Sequence, residues 1–504
     1  MGALIGIDLG TEGTRVGVFD ESGTELASAV HGYETRTPVA GWAEQDPEAW
    51  WQAITLATRD ALGTAGRHDV AGIALATMSS TVVACRADGT PLRPAILWMD
   101  ARAWREALDT RGLSHPVMRY SGGADAAEWL VPKAMWIARN EPEVYRHADR
   151  IVEALDWLVF RLTGTWASSQ MQATCKSNYD PMTGQYHHSL FEDMGIGGAI
   201  DKFPQRVLPV GAPVAEVTRD TAEHLGISGR PLVAQGGIDA HIAMLATGRP
   251  EPGHIFTIAG TSNVLLALTA QEQAVPGIWG PYPAALTPGT WLLEGGQVSS
   301  GSVLRWVTRK LLGLDDRQAA ALAVGAAKVP PGANSLLVLD YWMGNRTPYR
   351  DERLRGVVAG LSLSHTPEDV YRAAVESICY GTRNVLETYT AAGVGAGRIT
   401  VSGGVRHNPL WLQLTADVLG RPYEFASAAN LTTVAGAICA ATALGHGPDL
   451  ASCSRTFAVP THTIEPNLAG KSVYDERFAL YRKATAAFVG VLHDLSSGTG
   501  AVAP

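Results

Sequence analysis

The chain has 504 residues, 46% of them hydrophobic and 18% charged, the balance of a folded soluble protein and enough length for two or three domains. A formal net charge of −9 excludes a sequence-independent nucleic-acid binder, which needs a basic footprint, but leaves room for an anion held by a local glycine-rich loop. The five cysteines are scattered and show no CxxC spacing, which argues against a disulfide framework or zinc site and for a reducing cytosol.

Residues 1–20 show no basic region followed by an apolar run, so no signal peptide is expected. No stretch reaches the roughly 20 apolar residues that span a bilayer, so no membrane partner is expected and the setting reads as cytoplasmic. The chain opens on IGIDLGTEGTR, an apolar strand that ends in Asp8 and turns through Gly10 and Thr11, before RVGVFD continues as a second strand. ESGTELASAV follows as a third. An Asp beside Gly and Thr is ordinary turn chemistry, and it is equally the chemistry of a loop that wraps a phosphate while the acid handles a metal. The turn alone leaves both open.

Asp46-Pro47-Glu48 starts a helix with a cap residue, Pro at the first position and acid in the first turn. VAGIALATM then reads as a buried strand, and TVVACRADGTPLRPAILWMD as strand, turn and strand. Strands alternating with helices predict an α/β fold with a partly parallel sheet. Farther on, PLVAQ runs through Gly236-Gly237 to Asp239 and the helix-like HIAMLATG. Asp239 is either a helix cap or a general base at the C-terminal end of a strand, and the two roles are compatible.

A Gly/Pro-rich connector at 247–253 marks a boundary, and HIFTIAGTSNVLLALT directly after it repeats the opening pattern of strand, Gly-Thr turn, strand. A duplicated fold with two such hairpins could grip a nucleotide between its halves. Gly260 would let the backbone approach an anion, while Thr261 and Ser262 add hydroxyl donors. A third glycine-rich element, Ser402-Gly403-Gly404-Val405, follows a strand and precedes a helix near Asn408, a generic nucleotide-contact geometry. There is no GxxxxGK[ST] loop, and no GxGxxG follows the first strand, so a P-loop enzyme and a dinucleotide-binding dehydrogenase are both disfavoured.

Together these landmarks resemble the FGGY carbohydrate kinases, a branch of the actin/hexokinase/heat-shock ATPase fold, over nearly the whole chain. The most specific piece is Gly356-Val357-Val358-Ala359-Gly360-Leu361 with Asp369 to Glu376 after seven residues, which looks like the family's C-terminal signature. Pro132-Lys133-Ala134-Met135-Trp136-Ile137 with Asn140-Glu141 is similar to its looser N-terminal signature. Helix packing accounts for most of what both segments are expected to do.

The resemblance implies a two-lobed, duplicated ribonuclease H-like fold: residues 1–247 as the first lobe, 248–475 as the second, and 476–504 as a packed helix and tail. The last residues, SSGTGAVAP, read as disordered. By position, Asp8 matches the acid of the first phosphate loop, near magnesium, and Gly10, Thr11 and Thr14 match the loop itself. Gly260, Thr261 and Ser262 match the second phosphate loop. Gly403, Gly404 and Asn408 match the adenosine site, and Asp239 matches the catalytic base, which would also touch the sugar.

In the sugar pocket, Met78-Ser79 stands where glycerol kinases carry Arg-Glu and xylulokinases Met-His. That speaks against glycerol and leaves strict xylulose specificity in doubt. Trp98, Asp100 and Arg102 match a pocket-wall segment; the indole offers an apolar face to sugar C–H groups, while the charged pair could bond hydroxyls or salt-bridge the lobe. Ala173 to Asp180 looks like a ribulokinase-type segment. Tyr341 to Tyr349 lies where the family has a GERxP-type loop, with Gly-Asn-Arg-Thr-Pro in place of the acidic form.

The expectation is an ATP- and Mg²⁺-dependent kinase for a terminal hydroxyl of a small sugar, first of all ribulose or xylulose. A polyol such as erythritol or ribitol, a sugar acid such as gluconate, and an actin-like ATPase without sugar chemistry are the alternatives. A homodimer is a family-level expectation only.

Overall fold

The computed structural model describes residues 2–498. Its first lobe is built on the strands Ala3–Leu9, Gly13–Phe19 and Glu25–Gly32, an antiparallel meander, with Val70–Thr77 and then Leu232–Ile238 added in parallel on the other side of Ala3–Leu9. The second lobe repeats this order and direction. His254–Ala259, Asn263–Thr269 and Trp291–Gln297 form the meander, and Arg398–Ser402 then Tyr423–Ala426 are the parallel additions. The duplication read from the two Gly-Thr hairpins is therefore a duplication of the five-strand sheet.

Local chemistry sets the connecting helices. Asp46 accepts from the Glu48 N–H at 3.0 Å and Pro47 opens the helix Pro47–Ala65, which lays Trp50, Ile54, Ala57 and Ala61 into the core. Between Val70–Thr77 and Leu232–Ile238 the first lobe carries a large insertion, whose strands Ala95–Ile96, Val82–Cys85 and Arg150–Glu153 form a small sheet with Glu44–Gln45 from earlier in the chain, backed by the helix Leu130–Asn140. This insertion supplies most of one wall of the interlobe cavity. In the second lobe, Thr366 and Asp369 form a reciprocal capping box that starts the long helix Pro367–Ala391. Within it Arg372 and Glu376 form a buried pair at 2.8 Å, joined by Tyr474, so this signature segment does pack the core.

The boundary near 248 separates the sheets but not the hydrophobic cores. The helix Leu431–Ala443, from the second half of the chain, lies on the first lobe's sheet, where Leu431, Val434, Ala435 and Ile438 join one apolar cluster with Leu4, Phe19 and Ala74. The contact is backbone to backbone: a Cβ on Gly6 would stand 1.8 Å from the Thr433 carbonyl oxygen. Only glycine fits there.

The C-terminal helix runs Lys471–Gly498, starting inside the expected second lobe and continuing through Ser496 of the expected tail. The rest of that tail, 499–504, lies outside the described residues. All five cysteines are buried free thiols, and no helix among the described residues is long and apolar enough to cross a membrane.

Candidate active site

Two cavities open on the second hairpin, and Gly260 and Thr261 line both. The smaller, of about 250 Å³, lies between the lobes. The larger, of about 880 Å³, lies between the helices of the second lobe.

The first lobe brings Thr11, Met78, Ser79, Trp98 and Asp239 to the smaller cavity, and the second hairpin adds Ser262. Trp98 is fixed by its indole N–H, which donates to Thr11 Oγ1 at 3.1 Å and so joins the pocket wall to the first hairpin. Asp239 is the first residue of the short helix Asp239–Ile242, at the end of the strand Leu232–Ile238. One of its oxygens accepts the Ala240 N–H at 2.6 Å, and the half-buried carboxylate lines the cavity. Burial, reinforced by the negative charge of nearby Asp8, pushes the Asp239 carboxyl up to about 7, against the weaker pull of Ala240 and Arg15. A carboxylate that ionises near neutrality is poised for proton transfer.

Asp8 is buried beneath the first turn. Its Oδ2 accepts from Arg15 at 3.3 Å and from Asn430 at 2.9 Å, and Asn430 also caps the helix Leu431–Ala443. Burial raises the Asp8 carboxyl while these two partners pull it back. The turn is braced from below, since Tyr33 donates to the Gly10 carbonyl and Gln45 to the Thr11 carbonyl at 2.7 Å.

Three expected site residues take other roles. Asp100 and Arg102 do not line the cavity: they form a fully buried pair at 2.7 Å, Asp100 accepting from the Ala43 N–H and the guanidinium lying 3.8 Å from the Trp42 ring. Glu44 completes the pair at 2.8 Å, so the charges hold the Trp98 loop from behind. Thr14 is likewise fully buried, its hydroxyl donating to the Asp8 carbonyl inside the hairpin at 3.1 Å, so it shapes the turn and presents no hydroxyl to a phosphate.

Several residues at the smaller cavity had no expected role. Lys176 and Glu294, from opposite lobes, meet at 2.9 Å, and His241 reaches Glu294 at 3.2 Å. Burial works to raise the Glu294 carboxyl, but Lys176 and His241 outweigh it and hold the group ionised, well below the usual carboxylate range. Trp129 and Trp279 pack edge to face at 5.6 Å with the Lys176 ammonium over both rings. Arg346 stands 4.5 Å from the Trp279 ring and 3.7 Å from Glu128. A lone charged residue in the buried strand WLLEGGQ was the available signal for Glu294.

In the larger cavity, Gly404 and Asn408 stand at the start of the helix Pro409–Leu419. Asn408 caps that helix through the Trp411 N–H at 3.1 Å and donates to the Tyr371 hydroxyl at 3.0 Å. Gly403 works one layer back, with φ at +98°, where a Cβ would sit 2.7 Å from the Ala259 carbonyl oxygen. Ala319, Ala323 and Ala327 recur every four residues along one wall, leaving a shallow apolar surface.

Two lobes with duplicated sheets, a cleft-floor acid and a shared glycine hairpin define a two-lobed phosphotransferase of the sugar-kinase class. The comparisons agree. Residues 3–246 match the N-terminal domain and residues 255–444 the C-terminal domain of the FGGY family of carbohydrate kinases, and the chain belongs to that family. It is a phosphotransferase with an alcohol group as acceptor.

A ribulokinase of Mycolicibacterium smegmatis is 31% identical over 95% of this chain and 92% of its own. The FGGY carbohydrate kinase domain-containing protein of Homo sapiens is 27% identical over 95% of each chain. The solved xylulose kinase of Rhodospirillum rubrum superposes with a TM-score of 0.84 at 28% identity, covering 97% of this chain and 100% of that one.

Proposed function

We propose that the chain transfers the terminal phosphoryl group of ATP to a terminal hydroxyl of a small ketose, a ketopentose such as ribulose or xylulose in the first place. The observation that carries this is the position of Asp239: it lines the interlobe cavity, and the Gly260-Thr261 turn joins that cavity to the larger one.

A sugar in the smaller cavity and a nucleotide in the larger would meet at this turn. Asp239 takes the proton of the sugar hydroxyl as its oxygen bonds to the terminal phosphorus and the bond to ADP breaks. The hydroxyls and backbone N–H groups of Thr11, Thr261 and Ser262 are the donors for the phosphate chain, while the Gly10 and Gly260 N–H groups close their own turns on the Gly13 and Ser262 carbonyls. Mg²⁺ bound with the nucleotide would supply charge neutralisation between the phosphates. The residues fit such an ion as a phosphate-borne one: there is no cluster of three or more metal-ligating side chains among the described residues, and both side-chain contacts to Asp8 fall on Oδ2.

The volume of about 250 Å³ suits a single small sugar. Trp98, Trp129 and Trp279 offer apolar faces to C–H groups, and Lys176, Glu294 and Ser79 offer partners for a carbonyl and hydroxyls. Each cation there already has a carboxylate, Lys176 with Glu294 and Arg346 with Glu128, so the pocket favours a neutral sugar over a sugar acid. ADP release measured against a panel of ketoses, polyols and sugar acids tests the reading. The highest kcat/KM is expected with a ketopentose, and a panel without sugar-dependent ADP release would overturn it.

A further inference from the structure

Lys133 is fully buried in the helix Leu130–Asn140, inside the segment that resembles the family's N-terminal signature. Packing accounts for its neighbours Val131, Ala134, Met135 and Ile137, which belong to an apolar cluster of the first lobe. It does not account for a lysine, because burying an ammonium group is costly unless specific partners receive it.

Those partners are two backbone carbonyls. The Lys133 amine donates to the Ser80 carbonyl and to the Leu97 carbonyl, each at 2.7 Å. The first belongs to the wall of the interlobe cavity and the second adjoins it. Ser80 ends the Met78-Ser79-Ser80 segment that lines it, and Leu97 precedes Trp98, a neighbouring lining residue. The Trp98 N–H also donates to Thr81 Oγ1 at 3.3 Å, and its indole reaches Thr11 in the first phosphate hairpin. One turn along the same helix, the Trp136 ring lies 4.9 Å from the Arg102 guanidinium that steadies the rest of the Trp98 loop.

We propose that Lys133 is a positioning residue: by stapling the Ser80 and Leu97 carbonyls together from behind, it sets the separation of the Met78–Ser80 and Trp98 walls, and with it the fit of the sugar. This rests on reading the interlobe cavity as the sugar site. Burial lowers the Lys133 amine to about 7, against the fields of Asp100 and Glu153, which favour the charge. Neutral or charged, the amine keeps at least two N–H bonds, enough for both carbonyls.

Lys133→Met keeps the length and apolar stem but removes both donors. Lys133→Gln keeps an NH₂ group on a chain one methylene shorter, able to serve one carbonyl better than two. With the best sugar of the panel, Lys133→Met is expected to raise the sugar KM by about 10- to 100-fold, the scale of a small misplacement at a binding site, while the ATP KM stays within about twofold. Lys133→Gln is expected to recover part of the loss. A merely structural lysine would lower the melting temperature without splitting the two KM values. If Lys133→Met fails to fold, Lys133→Gln decides alone, a raised sugar KM supporting the staple. A sugar KM unchanged in the folded variants, or a parallel rise in both KM values, overturns it. A wild-type protein silent on the whole sugar panel overturns the sugar-site reading together with this one, whereas an active wild type with unmoved variants overturns the staple alone.

Discussion

Asp8 stands two residues before the Gly-Thr turn of the first half, facing Arg15 across the hairpin; at the equivalent points of the second half stand Ile258 and Val264. The sheets around the two hairpins run in the same order and direction, so backbone geometry is shared and the difference lies in the side chains. One hairpin carries an ion pair and lies close to Asp239, whereas the other lines the sugar-sized cavity with Ile258 and Val264. Duplication of a fold supplies two matched turns that can approach a phosphate chain from both sides. Divergence assigns acid chemistry to one of them and leaves the other as donor and apolar wall. Under the proposed function, a carboxylate on the second hairpin as well would add repulsion towards the phosphate chain.

The sharpest way to break this asymmetry is Asp239→Asn. Turnover is expected to fall by about 10²-fold or more, the scale of losing a general base, with ATP affinity near normal because the hairpins keep their donors. An Asp239→Asn protein with near-normal turnover in the coupled assay would remove Asp239 from the mechanism. The same variant carries a stability test. The folded-state pKa of Asp239, about 7, lies above its unfolded value, so the folded protein binds the extra proton between them. Wild-type stability from this group is therefore fully present below about pH 4 and is lost as pH rises to about 7. Melting temperatures of wild type and Asp239→Asn should diverge over that window, the variant gaining towards pH 7. Parallel melting curves would show that the carboxyl is not perturbed.

Asp8→Asn sharpens the comparison from the other side. It keeps a shape that Arg15 and Asn430 can hold but gives up the charge, so half-saturation in Mg²⁺ should rise and added magnesium should recover part of the lost turnover. A variant whose magnesium dependence matches wild type would separate Asp8 from the ion.

The smallest expected effect on turnover comes from Arg102→Met. Removing the guanidinium leaves Asp100 buried without its countercharge, at a cost of about 3–5 kcal/mol in unfolding free energy, while kcat at saturating sugar stays near normal and any rise in sugar KM accompanies the lost stability. A sugar KM that moved with unchanged stability would return Arg102 to the pocket.

The fold was legible because its signals are local and repeated. The strand and Gly-Thr turn at 5–15 recur at 255–267, and Asp46-Pro47 starts a helix wherever that sequence meets an apolar stripe. The crossing of Leu431–Ala443 onto the first sheet was not legible, because Gly6 and Gly436 each look like an ordinary small residue until they face one another. Among the residues that line the interlobe cavity, Asp239 was singled out from its place after a strand, and Trp98 and Met78 only through the family resemblance. Lys176 and Glu294 were not, since they are brought together from residues far apart in the chain and neither sits in a turn. Asp100 and Arg102 misled for the opposite reason: polar residues beside a lining tryptophan read as lining themselves, and only the burial between Trp42 and Glu44 shows the pair turned inward.

The pH dependence of kcat/KM for the best sugar, followed from pH 5 to pH 9 in the coupled assay, tests the place of Asp239 most directly, because it reports the ionisation of groups in the free enzyme. Activity should rise through an acidic limb with an apparent pKa of about 7, the value that burial and the charge of Asp8 give the Asp239 carboxyl. Residual Asp239→Asn activity should lack that limb. A wild-type profile that stays flat down to pH 5, or a limb that survives in Asp239→Asn, would contradict the assignment of Asp239 as the base.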